Sequence, residues 1–324
     1  MKDKKKNYGQ FFTVNSKAWL KEHIKEFILQ CPNKDIILDP FAGGGDLLRT
    51  CNEELGVNDA IGYDIDKSLD IDKSLGWEIN DSLLSIPKTG RLVITNPPYL
   101  HKSRACERGL DSYKYFKENN YTDLYQIALK RILDSHDYAV AIIPESFLHT
   151  GLFRNRLHSI TVLEDNPFSD TTCPVCVACF VPVGGKIKIY KNEIFIGYLE
   201  NLLKLKKKPS NKYNIKFSLS GTIGIKCIDD ESGERIYFCK KEDLKHQRIS
   251  RAYLIVDIHK EINIEKVIKT ANEILNKHRK QCYDLLLTAF YGNNKNGIRR
   301  RRLNRSTAKA ILEKSIMVME KEAS

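Results

Sequence analysis

Residues Leu92 to Thr95 form a short apolar run that ends on Asn96-Pro97-Pro98-Tyr99. Such a run reads as a buried strand, and two successive prolines stop it because neither can donate a ladder hydrogen bond. Asn96 is thereby fixed at a strand end. There its amide oxygen and the carbonyl of Pro97 can both accept hydrogen bonds from one planar amino group. Two acceptors that bind the two hydrogens of an amide or aromatic amine localise its lone pair and turn a poor nucleophile into a usable one. Tyr99 adds an aromatic face beside them. The rest of the chain must bring a group donor and an amino-bearing substrate to this corner.

The positioning elements precede it. Asp35 to Leu38 is a strand that runs into Asp39-Pro40-Phe41-Ala42-Gly43-Gly44-Gly45-Asp46, and Leu47 to Glu54 reads as a helix. Strand, glycine turn and helix open a doubly wound α/β fold, where ligands bind beyond the carboxyl ends of the strands. The glycines allow a cofactor to approach the backbone closely. The turn is neither a G-x-G-x-x-G nor a phosphate loop with its Lys-Ser/Thr. A second strand, Ala60 to Tyr63, ends on Asp64, placed to hold a ribose diol with Ile65 beside it. A third, from Trp77, ends on Asp81-Ser82.

Further along, Tyr121 to Leu133 reads as a helix, His136 to Ile143 and Val175 to Val183 as strands, and Ser159 to Asp165 continues the alternation. The pattern predicts a mainly parallel, Rossmann-like sheet. Near the start, Gly9-Gln10-Phe11-Phe12-Thr13 precedes a helix over Ser16 to Gln30. Asp64 to Leu69, DIDKSL, is repeated at once as Asp70 to Leu75, with no functional reading. Asn166 to Asp170 is a turn carrying Phe168. Cys173, Cys176 and Cys179 invite a zinc reading, but no fourth Cys or His follows at finger or ribbon spacing, so buried strand thiols are the simpler account and no metal is expected.

At 324 residues the chain is long enough for two domains. It holds 53 Lys and Arg against 41 Asp and Glu, a net +12. From Lys186 onward the counts are 31 against 16, so this part carries +15 and the part before it −3. A basic half joined to a near-neutral half suggests a polyanion-binding region beside a catalytic one. The glycine pair Gly184-Gly185 marks the boundary, giving a catalytic domain over 1–184 and a smaller basic α+β domain over 185–324. In the latter, the Lys206-Lys207-Lys208 loop, Asn293, Asn294, the run Arg299-Arg300-Arg301-Arg302 and Arg305 offer phosphate and base-edge contacts. Neutralising Arg299 to Arg302 is expected to reduce the salt dependence of binding. Ser306 or Thr307 is expected to cap a final helix to Glu320. No run of about 20 apolar residues and no signal-peptide pattern is present, so a cytoplasmic protein with no membrane partner and reduced thiols is expected.

From Gly9 to Val183 the ordered motifs resemble the S-adenosylmethionine-dependent DNA adenine-N6 methyltransferases of type II restriction-modification systems, in the gamma motif order. The resemblance implies S-adenosyl-L-methionine as cofactor and roles for named residues. Phe11, Phe12 and Thr13 look like the N-terminal motif at the methionine end. Asp39, Pro40, Phe41, Gly43 and Gly45 look like the D-P-x-x-G-x-G loop. Asp64 takes the ribose and Asp81 the cofactor's adenine amino group. Asn96, Pro97, Pro98 and Tyr99 match the N-P-P-Y motif in full, and Phe168 falls where an aromatic packs on an extruded base. Double-stranded DNA, a cognate restriction endonuclease acting on the same site, and a monomeric state are also implied. Similar corners serve enzymes that methylate glutamine side chains or RNA bases. The basic second half and the early Gly9 to Thr13 motif count against glutamine; RNA stays open, and the presence of Asn96, Asp39 and Asp64 together counts against a catalytically inactive DNA-binding homologue.

Overall fold

The computed structural model describes residues 16–67, 76–168, 171–258 and 262–322. Phe11, Phe12, Thr13 and the second DIDKSL copy lie outside them. The chain divides into two compact units, Met1–Tyr198 and Leu199–Ser324.

In the first unit the elements follow as α1 (Glu22–Gln30), β1 (Ile36–Asp39), α2 (Asp46–Leu55), β2 (Asp59–Asp64), β3 (Gly76–Ile79), β4 (Leu92–Thr95), α3 (Lys102–Glu107), α4 (Leu124–Ser135), β5 (Ala139–Pro144), β6 (Leu157–Val162), β7 (Val175–Phe180), β8 (Lys188–Lys191) and β9 (Ile194–Tyr198). The nine strands form one sheet in the order β3-β2-β1-β4-β5-β7-β6-β8-β9. Strands β3, β2, β1, β4 and β5 run parallel, and β7 runs antiparallel between β5 and β6. This is a doubly wound, mainly parallel sheet. The chain winds outward through β2 and β3, then returns to β4 on the other side of β1. That reversal opens a crevice at the carboxyl ends of β1 and β4.

Local differences have physical causes. The helix expected over Ser16 to Gln30 is broken: a single turn, Ser16–Trp19, precedes α1, and Lys21 between them is extended at φ −74°, ψ 156°. The break allows Trp19 to be fully buried. Cys176 and Cys179 lie in β7, every residue of which is buried. The Gly184-Gly185 pair is a tight turn rather than a linker. Gly184 N–H donates to the Asn155 carbonyl at 2.7 Å, and a Cβ there would sit 2.9 Å from the Leu157 carbonyl oxygen. Beyond it, β8 pairs with β6 and β9 with β8, so residues 185–198 still belong to the first sheet and the second unit begins at Leu199.

The second unit holds α5 (Leu199–Lys204), β10 (Ile215–Phe217), β11 (Ile223–Lys226), β12 (Tyr237–Lys240), β13 (Tyr253–Ile258), α6 (Ile264–Gln281), β14 (Thr288–Asn293), β15 (Arg299–Arg302) and α7 (Arg305–Glu322). An antiparallel sheet in the order β10-β13-β11-β12 and a β14-β15 hairpin make its strands. Val267, Ala271 and Leu275, one face of α6, pack with Ala308, Ile311 and Ile316 of α7 and with sheet residues such as Ile223 and Val256. Helix α6 stops at Gln281, because Tyr283 and Asp284 adopt positive φ and Asp284 N–H turns back to the Arg279 carbonyl. The cap of α7 is Asn304, whose Oδ1 accepts from Thr307 N–H at 2.8 Å, not Ser306 or Thr307.

One buried ion pair ties this unit together. The Arg279 guanidinium donates to both oxygens of Asp229 at 2.8 Å and to Asp284 at 2.6 Å, while Asp229 also accepts from the backbone N–H groups of Ile236 and Arg301. Burial works to raise the Asp229 pKa, but the Arg279 fork holds it below the usual carboxylate range. Asp229→Ala leaves a buried guanidinium short of a partner and frees β15, and is expected to cost about 3 kcal/mol. Chemical denaturation checks it; a loss under 1 kcal/mol would contradict the role. Because the folded-state pKa is depressed, this contribution is present above the unfolded carboxyl pKa of about 4 and is lost as pH falls through the folded one.

Candidate active site

The crevice is an open cleft at the carboxyl ends of the strands. Its walls come from the carboxyl ends of four parallel strands. Asp39 ends β1, Asp64 ends β2, Asn80 to Leu83 follow β3, and Asn96 and Pro98 follow β4.

Asp39 is buried, and its Oδ1 accepts from both Phe41 N–H at 3.0 Å and the Thr95 hydroxyl at 2.6 Å. Thr95 is the residue before Asn96, so this bond ties the glycine turn to the N-P-P-Y corner. Burial pushes the Asp39 carboxyl up to about 7, against the two hydrogen bonds, which lower it; the nearby Asp64 charge adds to the rise. Asp64 receives Gly43 N–H on Oδ2 at 3.0 Å and Asp66 N–H on Oδ1 at 2.8 Å. Its pKa is also raised, by burial. Gly43 (φ 53°) and Gly45 (φ 81°) are left-handed, and Gly45 caps α2. The turn lies tightly on the sheet: a Cβ on Gly62 of β2 would meet Ala42 Cβ and the Trp77 ring at 2.8 Å. Only glycine fits there without a shift.

Asp81 accepts from the Tyr115 hydroxyl at 2.8 Å, and Asn80 donates to Ser82 Oγ and to the Ser85 carbonyl at 2.9 Å. Tyr115 therefore closes one wall of the cleft. On the other, the Tyr99 hydroxyl donates to Asn96 Oδ1 at 2.6 Å, with the Ile142 carbonyl of β5 as the competing acceptor at 2.7 Å. Burial holds the Tyr99 phenol well above its ordinary pKa, so it stays a neutral donor. The Tyr99 ring meets Phe168 edge to face at 6.3 Å and Tyr125 at 6.5 Å.

The structure thus gathers Asp39, Pro40, Phe41, Gly43, Asp64, Ile65, Asp81, Ser82 and Asn96 on one cleft, with Tyr99 and Phe168 as a buried aromatic corner beside Asn96. Gly45 stands behind it as the α2 cap. Thr95, Asp46, Gly62 and Tyr115 also shape the site and carried no sequence signal of their own, although Thr95 adjoins the motif. Among the described residues the lining holds four carboxylates, Asp39, Asp46, Asp64 and Asp81, and no lysine, arginine or histidine. Such a wall suits a cationic ligand with hydroxyl and amino donors and opposes a phosphate.

The basic residues of the second unit divide differently. Lys206, Lys208 and Arg305 are exposed and Lys207 is half-buried. The run Arg299 to Arg302 is a strand, not a loop, so alternate side chains face inward. Arg299 and Arg301 are 2 % and 1 % exposed and cannot reach a phosphate. Arg300 is half-buried, stacked over Phe290 at 4.9 Å and bonded to Glu231, and Arg302 is half-buried. Asn294 Oδ1 accepts from the N–H groups of Asn296 and Ile298, and Asn293 Nδ2 donates to the Gly297 carbonyl, so both asparagines close the β14-β15 hairpin.

No family model matches the chain, and no curated protein does. Among solved structures, the EcoKI type I restriction enzyme M protein aligns over 96 % of this chain and 71 % of its own at 10 % identity and TM-score 0.40. The type I restriction-modification methyltransferase subunit of Streptococcus thermophilus aligns over 60 % of this chain, at 14 % identity and TM-score 0.38. This chain spans about half of that subunit, 53 % of its length. A Listeria monocytogenes protein described as a class I S-adenosylmethionine-dependent methyltransferase covers 55 % of this chain and 67 % of its own, at 14 % identity and TM-score 0.37. These likenesses are of fold alone, and every residue role below rests on this chain's own geometry.

Proposed function

We propose that this chain is an S-adenosylmethionine-dependent methyltransferase acting on N6 of adenine in duplex DNA, as the modifying member of a restriction-modification pair with a cognate endonuclease. The observation that carries the reading is Asn96: it ends β4 on the wall of the same cleft that holds Asp39, Asp64 and Asp81. The acceptor-rich lining, cation-free among the described residues, fits a ligand that carries a sulfonium, an ammonium, a ribose diol and an adenine amine. When bound, S-adenosylmethionine supplies a methyl group made electrophilic by its sulfonium.

Each residue then has one task. Asp64, with one N–H already on each oxygen, keeps lone pairs for the ribose hydroxyls. Asp81, oriented by Tyr115, accepts from an exocyclic amine. Asn96 Oδ1 and the Pro97 carbonyl bind the two hydrogens of the target amine and localise its lone pair, so that positioning supplies much of the rate. Pro98 fixes the turn that aims them. A duplex adenine reaches this corner only by being flipped, at a cost of a few kcal/mol. Stacking on Tyr99, with Phe168 packed on its edge, returns about 1 to 3 kcal/mol. The basic second unit serves target recognition, with Lys206, Lys207, Lys208, Arg302 and Arg305 as its phosphate contacts.

Tyr99→Phe separates the ring from the hydroxyl. It keeps the stacking face but releases Asn96, so the single-turnover rate is expected to fall about tenfold to a hundredfold with DNA affinity nearly unchanged. Equal loss in rate and affinity would place the hydroxyl in binding instead. The function itself is tested by incubating the protein with tritiated S-adenosylmethionine and duplex DNA, structured RNA or a release-factor-like protein. Label in the DNA is expected; label confined to RNA or to glutamine would replace the substrate.

A further inference from the structure

The burial of Arg299 and Arg301 raises the question of what else on the chain could hold a phosphate backbone. Among the described residues of the first unit, several cations are already engaged. Lys21, Lys25, Arg49, Arg91, Lys130 and Lys191 each pair with a carboxylate. Arg156 spends its guanidinium on four backbone carbonyls.

The segment directly after N-P-P-Y is different. Between Lys102 and Lys117 it carries Lys102, Arg104, Arg108, Lys114 and Lys117 against only Glu107 and Asp111. Among the described residues none of these five cations forms an ion pair or a side-chain hydrogen bond. Arg104, Arg108, Lys114 and Lys117 are exposed and Lys102 is half-buried. Arg104 and Arg108, four residues apart across α3 and its end, share a face.

Their backbone is nevertheless held firmly. Leu100 N–H donates to Asp123 Oδ1 at 3.1 Å, Lys102 N–H to the Thr122 carbonyl at 2.9 Å, and Leu124 N–H to the Leu100 carbonyl at 3.1 Å. Ala105, Tyr115 and Phe116 bury the inner side of the segment against Leu124, Ile127 and Ala128 of α4. Tyr115 reaches through to Asp81 on the cleft wall. The outer side is thus a cationic face on a firmly held backbone, with the Lys114 ammonium lying over the Tyr115 ring at 4.9 Å.

We propose that Lys102, Arg104 and Arg108, flanked by Lys114 and Lys117, form a phosphate-binding surface that grips the duplex backbone beside the flipped base. This rests on the reading of Asn96 as a base-methylating corner. Lys102 is three residues from Tyr99, so their Cα atoms lie within about 11 Å. A duplex carries one negative charge per roughly 1.7 Å of its axis. Any duplex that delivers a base to Asn96 therefore brings phosphates within reach of this face. The surface anchors the strand where the base leaves the stack, whatever sequence the second unit reads.

The test is the full-length Lys102→Gln/Arg104→Gln/Arg108→Gln variant, with a Lys114→Gln/Lys117→Gln variant beside it. Binding to a fluorescent duplex is measured across a salt series, and cofactor affinity serves as the control for folding. The slope of log K against log salt is expected to fall by about 0.9 for each phosphate contact removed, so by about 2 to 3 in the triple variant. An unchanged slope in both variants would overturn the surface. So would a reduced slope seen with structured RNA but not with duplex DNA. A variant slope that falls while the wild type makes no N6-methyladenine retains the surface and sinks the assigned reaction. Methylation with an unchanged slope does the reverse.

Discussion

Asn96→Ala is expected to lower the rate of methyl transfer on the order of a hundredfold to a thousandfold while leaving cofactor affinity within about threefold. The comparison is with removal of a single transition-state hydrogen-bond partner in a preorganised site. Asn96 supplies one of two acceptors, and the one that remains, the Pro97 carbonyl, cannot alone hold an amino group in the pyramidal geometry that frees its lone pair. The wall proposed to hold the cofactor is built by Asp39, Asp64 and Asp81 on β1, β2 and the segment after β3. Those residues are untouched by the substitution. Single-turnover kinetics with calorimetric cofactor titration separates the two effects. A near-normal rate would remove Asn96 from the chemistry, and an equal loss of cofactor affinity would make it a binding residue.

Asp39→Asn is expected to have two effects of opposite sign. The Asp39 carboxyl, at about 7 in the folded chain against an ordinary value near 4, prefers its proton when buried. A raised folded-state pKa means that folding is opposed progressively as pH rises from about 4 to 7, because the unfolded chain releases the proton first. Three pKa units correspond to about 4 kcal/mol, an upper bound on the stabilisation Asn would give at pH 8. The geometry permits the exchange, since both donors, Phe41 N–H and the Thr95 hydroxyl, bind Oδ1, which Asn retains. A cationic ligand, by contrast, favours the ionised carboxylate. Its affinity should rise with pH through about 7 in the natural protein, and should fall about tenfold or more and lose that pH dependence in the variant. Thermal melting of the ligand-free protein and cofactor titration at pH 6 and 8 check both halves. A variant that melts lower at pH 8, or that binds as well as the natural protein, would contradict the role given to Asp39.

The strand, glycine turn and helix around Asp39 were legible in the sequence because a glycine turn between a strand and a helix has few physical uses, and Asp64 was legible as the end of the next strand. The corner was legible because two prolines after an apolar run leave little conformational choice. Three kinds of feature were not. The antiparallel entry of β7 depends on which neighbour a buried strand pairs with, and an apolar run carries no record of that. Gly184-Gly185 reads as a linker by composition, but the close approach of the Asn155 and Leu157 carbonyls makes it a turn inside the sheet. The arginine run read as a free loop. Its alternating burial follows only from pairing with Thr288 and Ala289 on β14. Conversely, the cationic segment after Tyr99 has no helical period to mark it, and its outward face follows only from the packing of its inner side against α4.

The central claim is that Asn96 sits where an adenine amine receives a methyl group. It is tested most directly by treating unmethylated duplex DNA with the wild-type protein or with Asn96→Ala and S-adenosylmethionine, digesting to nucleosides, and quantifying N6-methyldeoxyadenosine by mass spectrometry. The expected result is N6-methyldeoxyadenosine from the wild type and a yield lower by about two orders of magnitude or more from the variant. Methylation of another base, or equal yields from the two proteins, would contradict it.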